Sequence, residues 1–239
     1  MPEITKGRWQ LAQKAEKKYW GDAVRSPEEF LHLLEEKYTF IARINAACAP
    51  ALKPLPSVGR VLEVGIGPLG LGVATLLEPQ SKWSITGVDP LPRMDSVELP
   101  EYLTHCYVEL KKRPLNYIQK PAEEFNAGKN SFDLAICYNV LDHTRDPNLI
   151  VKNVFEMLVP GSYFLLFVTT ISLVSKYRKK ILKHSDLPHP HKFHLLQLFQ
   201  MVNDAGFEIV WYPRKSRESL RRLIGRGKRD LVLITRKPS

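Results

Sequence analysis

The sequence predicts an α/β fold, a seven-stranded, mostly parallel, doubly wound sheet preceded by an N-terminal helical cap. Two observations predict it. From Arg60 onward, short apolar runs rich in β-branched residues alternate with helical stretches, the pattern of a parallel sheet with helices on its faces. Before Arg60, apolar residues including Phe30, Leu33, Leu34, Tyr38, Ile41 and Ile44 recur at three- and four-residue intervals, the helical period.

The elements follow in order. Ser26-Pro27-Glu28-Glu29 supplies an N-cap, a proline at the first helical position and acids in the first turn. Pro50, Pro54 and Pro56 interrupt the helix and mark a linker, so residues 1–57 read as a cap or lid and 58–239 as the main domain. Strands are expected at Arg60–Val64, Ser84–Val88, Asn116–Gln119, Phe132–Cys137 and Tyr163–Val168, with two more near Phe207–Tyr212 and Asp230–Thr235. Crossover helices are expected near 70–78, 94–111 and 147–158, the last opened by Asp146 as cap and Pro147 as first residue. A further helix spans about 192–205 and ends at Gly206.

Composition narrows the function. A chain of 239 residues, 44% hydrophobic, buries a sizeable core without staples. Cys48, Cys106 and Cys137 are odd in number and widely spaced in apolar surroundings, so they build neither a disulfide framework nor a zinc cluster. No secretion signal opens the sequence, and its most apolar stretch, Ser162 to Val174, is too short to span a bilayer, so a cytoplasmic protein is expected. The net charge of +10 is local. Residues 172–192 carry six Lys/Arg against one Asp, and residues 211–239 carry ten against two acids.

The chemistry-bearing motif is VLEVGIGPLG at 61–70. A buried strand ends in a glycine-rich turn that opens a helix, so backbone can approach a ligand at the helix N-terminus. Gly65-x-Gly67-x-x-Gly70 also matches the dinucleotide fingerprint, which keeps an NAD(P)-dependent oxidoreductase in view. Against it, Glu63 would repel a diphosphate but could hold a cationic amino group, and no Tyr-x-x-x-Lys pair suited to hydride chemistry is present.

With GVDPLPRM, PAEEF, FDLAICYNVLDHTRDP and LVPGSYFLLF following in order, the chain resembles the class I (Rossmann-like) S-adenosylmethionine-dependent methyltransferases of the small-molecule type over roughly residues 60–168. A weaker match continues through Asp204-Ala205-Gly206-Phe207. The resemblance implies an antiparallel last strand and S-adenosylmethionine as cofactor. It further implies that Gly65, Ile66 and Gly67 present backbone to the methionine moiety while Glu63 orients its ammonium. Asp89 would accept both ribose hydroxyls, since a carboxylate offers two acceptors at the spacing of a vicinal diol. Pro90 and Leu91 would wall the adenine, Ala122 and Glu123 would contact it, and Tyr138 and Asn139 would lie beside the sulfonium. The chain departs from the family at Pro121, where Asp is usual, and at Gly70, one position late.

On the acceptor side, methyl transfer to oxygen or nitrogen needs alignment and removal of a proton. His143, after the fourth strand, and His189 and His191, after the fifth, are the candidate catalytic residues, with structural histidine as the competing reading for His143. His194 reads equally as a helix residue. No Cys, Asp or Glu is patterned with His189 and His191, so no metal site is expected. If strands five and six run parallel, the basic segments 172–192 and 213–229 emerge on the cofactor face and form a rim suited to an anionic small-molecule or glycan acceptor, or to an anionic membrane surface carrying it. A solvated basic surface is the competing reading. Nucleic acid is the second-rank partner, because aromatics are not interleaved with the charges.

Overall fold

A computed structural model describes residues 3–48, 58–77, 82–94, 101, 115–172, 189–212 and 228–239. The helix expected at 94–111 and the greater part of both basic segments lie outside these residues.

Seven strands form one sheet: β1 (Val58–Val64), β2 (Lys82–Asp89), β3 (Leu115–Gln119), β4 (Phe132–Tyr138), β5 (Leu158–Ile171), β6 (Glu208–Trp211) and β7 (Lys228–Arg236). Their order is β3-β2-β1-β4-β5-β7-β6, with the first five parallel and β7 antiparallel to both neighbours. Strand order reverses between β1 and β4, so the crevice for a ligand opens at their carboxyl ends.

Strand periodicity divides the core into two layers. Leu62, Val64, Ala135, Cys137, Phe164, Leu166 and Leu233 face one side and pack with α4 (Pro147–Met157) and α5 (Leu195–Asp204). Val61, Ile85, Leu134, Ile136, Leu165 and Ile234 face the other, where α3 (Val73–Leu77) and Phe40 and Ile41 of α2 (Pro27–Cys48) cover them. Asp146 caps α4 by accepting from the amides of Asn148 and Leu149, with Pro147 first in the helix. His194 proves to be the N-cap of α5, its side chain accepting from Gln197 N while Gln197 reciprocates.

Two departures have local causes. α3 begins at Val73 rather than 70, because Gly70 sits at φ +66 and interrupts helical geometry. β5 runs 14 residues, longer than the apolar run Tyr163–Val168, because Leu158 already pairs with Phe132 of β4 and antiparallel β7 pairs on to Ile171.

Residues ahead of the sheet form α1 (Lys6–Ala23) and α2. Val24, Phe30 and Leu33 pack against Leu69 and Leu71 of the glycine turn, and Ile4 N donates to Arg145 O at 3.1 Å. This helical pair therefore stands directly over the carboxyl edge of β1 and β4.

Candidate functional site

Under the helical pair lies a cavity of about 390 Å³. The sheet edge contributes Gly65, Asp89, Pro90, Leu91, Ala122, Glu123, Tyr138, Asn139, His143 and His189, and the helices contribute Trp9, Gln13, Glu16, Tyr19, Trp20, Glu36 and Lys37 among others. Ten residues singled out in the sequence thus share one cavity.

Gly65 has φ +70, its amide donates to Val88 O at 2.7 Å, and a Cβ there would overlap the side chain of Val140. The backbone therefore turns sharply off β1 with no side chain between it and the cavity. Asp89, at the end of β2, has both carboxylate oxygens engaged. Oδ2 accepts from Gly67 N and Oδ1 from Leu91 N, each at 2.9 Å. Each oxygen keeps a second lone pair, so a diol can still be bound. Burial raises this carboxyl to about 6, although the two amide hydrogen bonds oppose the rise.

Glu63 lies outside the cavity wall. Its carboxylate is buried; Oε1 accepts from Val73 N at 2.7 Å and Oε2 from Ala74 N at 2.8 Å. It closes the N-terminus of α3. Ile66 is likewise buried, packed beneath the turn against Gly87. Gly67 is covered by the Trp20 indole, and a Cβ on it would stand 2.5 Å from Trp20 Cζ2.

Sequence reasoning missed Lys37. This lysine of α2 is buried on the cavity wall, donates to Leu71 O, lies 5.7 Å from the Trp20 ring centroid and feels the charges of Glu63 and Asp89. Burial pushes Lys37 down and Glu63 up, and their mutual attraction opposes both movements. The only advance signal was a lysine at an otherwise apolar helical position, between Leu33/Leu34 and Phe40/Ile41.

Glu123 occupies a 3-10 turn at Ala122–Glu124, and its Oε1 accepts from Arg145 N at 2.6 Å and Asp146 N at 3.0 Å, tying down the segment after β4. Tyr138 stacks on Phe167 at 4.7 Å and 16°, with Phe40 of α2 completing the aromatic group. Asn139 adopts φ +54 and donates its amide to Phe167 O; its side-chain Oδ1 is buried on the cavity wall with no hydrogen-bond partner.

His143, also on the cavity wall, occupies the 3-10 turn Leu141–His143. Its Nδ1 lies 2.8 Å from Glu16 Oε1, its Nε2 3.5 Å from Asp142 Oδ1, and its ring 4.6 Å from that of His189. His189 Nε2 lies 3.9 Å from Asp142 Oδ2. The carboxylate absent from the sequence pattern around His189 is thus brought to it by the fold. His191 is not on the cavity wall. It is buried, with Nε2 3.4 Å from Arg145 O, and burial lowers its basicity. Its contact with Arg145 O ties it to the loop after β4.

The wall is suited to a cationic nucleoside ligand. Glu16, Glu36, Asp89 and Glu123 outnumber Lys37 there, the orphaned Asn139 Oδ1 awaits a donor, and no cationic cradle for a diphosphate lines it among the described residues. The strand order β3-β2-β1-β4-β5-β7-β6 with β7 antiparallel, joined to a glycine turn after β1 and an acid closing β2, is the arrangement of the class I methyltransferases. The methyltransferase-domain family model matches residues 32–211, and the chain belongs to that family, an S-adenosylmethionine-dependent methyltransferase.

Solved structures agree on the fold. A protein of Bacillus halodurans C-125 assigned as a methyltransferase superposes with TM-score 0.59 at 18% identity, covering 83% of this chain and 99% of its own. The 1,6-didemethyltoxoflavin-N1-methyltransferase of Burkholderia thailandensis, crystallised with 1,6-didemethyltoxoflavin and S-adenosylhomocysteine, gives 0.58 at 17%, covering 100% and 93%. Phosphoethanolamine N-methyltransferase 2 of Haemonchus contortus gives 0.57 at 15%, covering 85% and 56%. Among curated proteins, none matches the chain by sequence. Family membership sets aside the oxidoreductase reading. No helix among the described residues is long and apolar enough to cross a membrane.

Proposed function

We propose that the chain transfers the methyl group of S-adenosylmethionine to an oxygen or nitrogen of a small acceptor held beneath the N-terminal helical pair. The observation that carries this reading is one shared cavity: Asp89, Gly65 and the Pro90-Leu91 wall line it together with Glu16, Tyr19, His143 and His189, drawn from cap and sheet.

When bound, the cofactor supplies a methyl carbon already activated by positive sulfur. Asp89 takes the ribose hydroxyls on the lone pairs left by Gly67 N and Leu91 N. Pro90, Leu91, Ala122 and Glu123 enclose the base, with Glu123 acting mainly by fixing the loop at Arg145. Tyr138 and Asn139 on the cavity wall would hold the methionine portion, and Lys37 would supply the cation for its carboxylate. The helical pair covering the cavity excludes water and aligns the acceptor, and the cluster of Glu16, His143 and His189 receives the acceptor's proton.

An anionic small molecule or glycan is favoured as acceptor. β5 and β6 end at Ile171 and Trp211, on the same edge as the cavity, and the basic segments 172–192 and 213–229 follow directly from those ends. RNA or DNA is the second-rank acceptor class on the same charge. Incubation with methyl-labelled S-adenosylmethionine and fractionated extract tests the reading. Label in a small anionic product is the expected result; label confined to nucleic acid, or none in any fraction, would refute it.

A further inference from the structure

Asp142 is 97% removed from solvent, yet its Oδ1 receives no hydrogen bond. An orphaned carboxylate oxygen at that depth needs a positive partner. Two imidazoles face it. Glu16 fixes one of them: with Nδ1–H of His143 donating to the Glu16 carboxylate at 2.8 Å, the lone pair of Nε2 points toward Asp142 Oδ1. His189 presents Nε2 to the other oxygen of the same carboxylate.

The separations distinguish a shared proton from a shared ion. A charged imidazole hydrogen-bonded to carboxylate closes to about 2.8 Å. Here the gaps are 3.5 and 3.9 Å, and one ligand atom from each of the three residues falls within 4.8 Å of the others. Ligand atoms about 2.1 Å from a tetrahedral ion stand about 3.4 Å apart. Glu16 then plays the part of the carboxylate that orients a ligating histidine from behind, fixing its tautomer.

We propose that Asp142, His143 and His189 form a site for a divalent transition-metal ion of the zinc class at the acceptor end of the cavity. Two imidazoles and one carboxylate suit such an ion rather than Mg²⁺ or Ca²⁺, which take oxygen ligands. Three protein ligands leave a position open toward the cavity, and an oxygen of an anionic acceptor is its complement. The ion's role toward the acceptor rests on the methyl-transfer reading; its binding does not, and with the ion bound the two imidazoles serve as ligands and the Glu16 carboxylate is left to receive the acceptor's proton.

The test is titration of Zn²⁺ into chelator-stripped protein in competition with a chromophoric indicator, beside equilibrium dialysis of S-adenosylhomocysteine on the same samples. One strong equivalent is expected in the wild type and in H32A, a variant of an exposed histidine away from the cluster. The affinity should fall at least about tenfold in D142N and H189A, and about 10–100-fold in E16Q. H189A changes a partly exposed side chain and keeps the test interpretable if D142N fails to fold. Equal Zn²⁺ affinity in wild type and H189A, or no strong equivalent in the wild type, would overturn the site. Loss of S-adenosylhomocysteine binding in the wild type would instead strike the cofactor assignment.

Discussion

The Glu16 carboxylate stands 2.8 Å from Nδ1 of His143, so a helix outside the sheet supplies the partner of a residue at the sheet's carboxyl edge. Neither residue is half of a site alone. Glu16→Gln keeps size and helix propensity but weakens the charge-assisted hydrogen bond. It should lower kcat about 10–100-fold while leaving the dissociation constant of S-adenosylhomocysteine within about twofold at pH 8, because Glu16 acts on Asp89 only through its charge and Asp89 is ionised there. Steady-state kinetics beside calorimetry separates the two.

Asp89 gives the site a pH dependence whose sign follows from burial. Its carboxyl is raised to about 6, so the folded protein holds this proton more tightly than the unfolded chain does. The associated stability is fully present below the ordinary carboxylate range and is lost as pH rises through about 6. Cofactor binding runs the other way, since the ribose hydroxyls need an ionised acceptor. Affinity for S-adenosylhomocysteine should be flat from pH 7 to 8 and fall by up to about tenfold per unit below the Asp89 value. Asp89→Asn should abolish that fall and bind weakly at every pH.

Lys37 and Glu63 form a buried, coupled pair linking the cap to the glycine turn. Lys37→Met fits the helix but leaves the Glu63 carboxylate with only the amides of Val73 and Ala74. A loss of about 3 kcal/mol in urea denaturation is expected, with the Lys37→Met, Glu63→Gln double variant less destabilised than the sum of the singles.

Gly67 is constrained twice, by φ +80 and by the Trp20 indole 2.5 Å from where a Cβ would lie. Gly67→Ala should cost about 1–2 kcal/mol from backbone conformation alone and lift Trp20 off the turn. In a Trp20→Ala background the steric part should vanish and the conformational part remain.

Much of this architecture was legible in the residues. All seven strands were expected; β1, β4 and β5 announced themselves because parallel strands buried on both faces read as apolar, β-branched runs. Asp146-Pro147 and Ser26-Pro27 likewise marked helix starts. The placement of Gly65 and Asp89 on the cavity wall was legible, because backbone position at a strand end sets it. The engagement of Glu63 by the amides of Val73 and Ala74 was not, because a strand position does not reveal how α3 starts. The cap's contributions were barely legible. Glu16, Trp20 and Lys37 come to the site through packing of α1 and α2; Lys37 stood out only as a lysine at an apolar helical position, and nothing in the spacing of Glu16 and Trp20 distinguishes them from solvated residues. Asp142 was overlooked for the same reason: its partner His189 lies 47 positions later, on a loop after another strand.

Calorimetric titration of S-adenosylhomocysteine into the wild-type protein and into Asp89→Ala is the most direct measurement on the cofactor site. One molecule bound per chain, at least about tenfold more weakly in Asp89→Ala, with no heat from NAD, is expected if the carboxylate holds the ribose through charge-assisted hydrogen bonds. Equal affinity in the two proteins, or binding of NAD in place of S-adenosylhomocysteine, would contradict it.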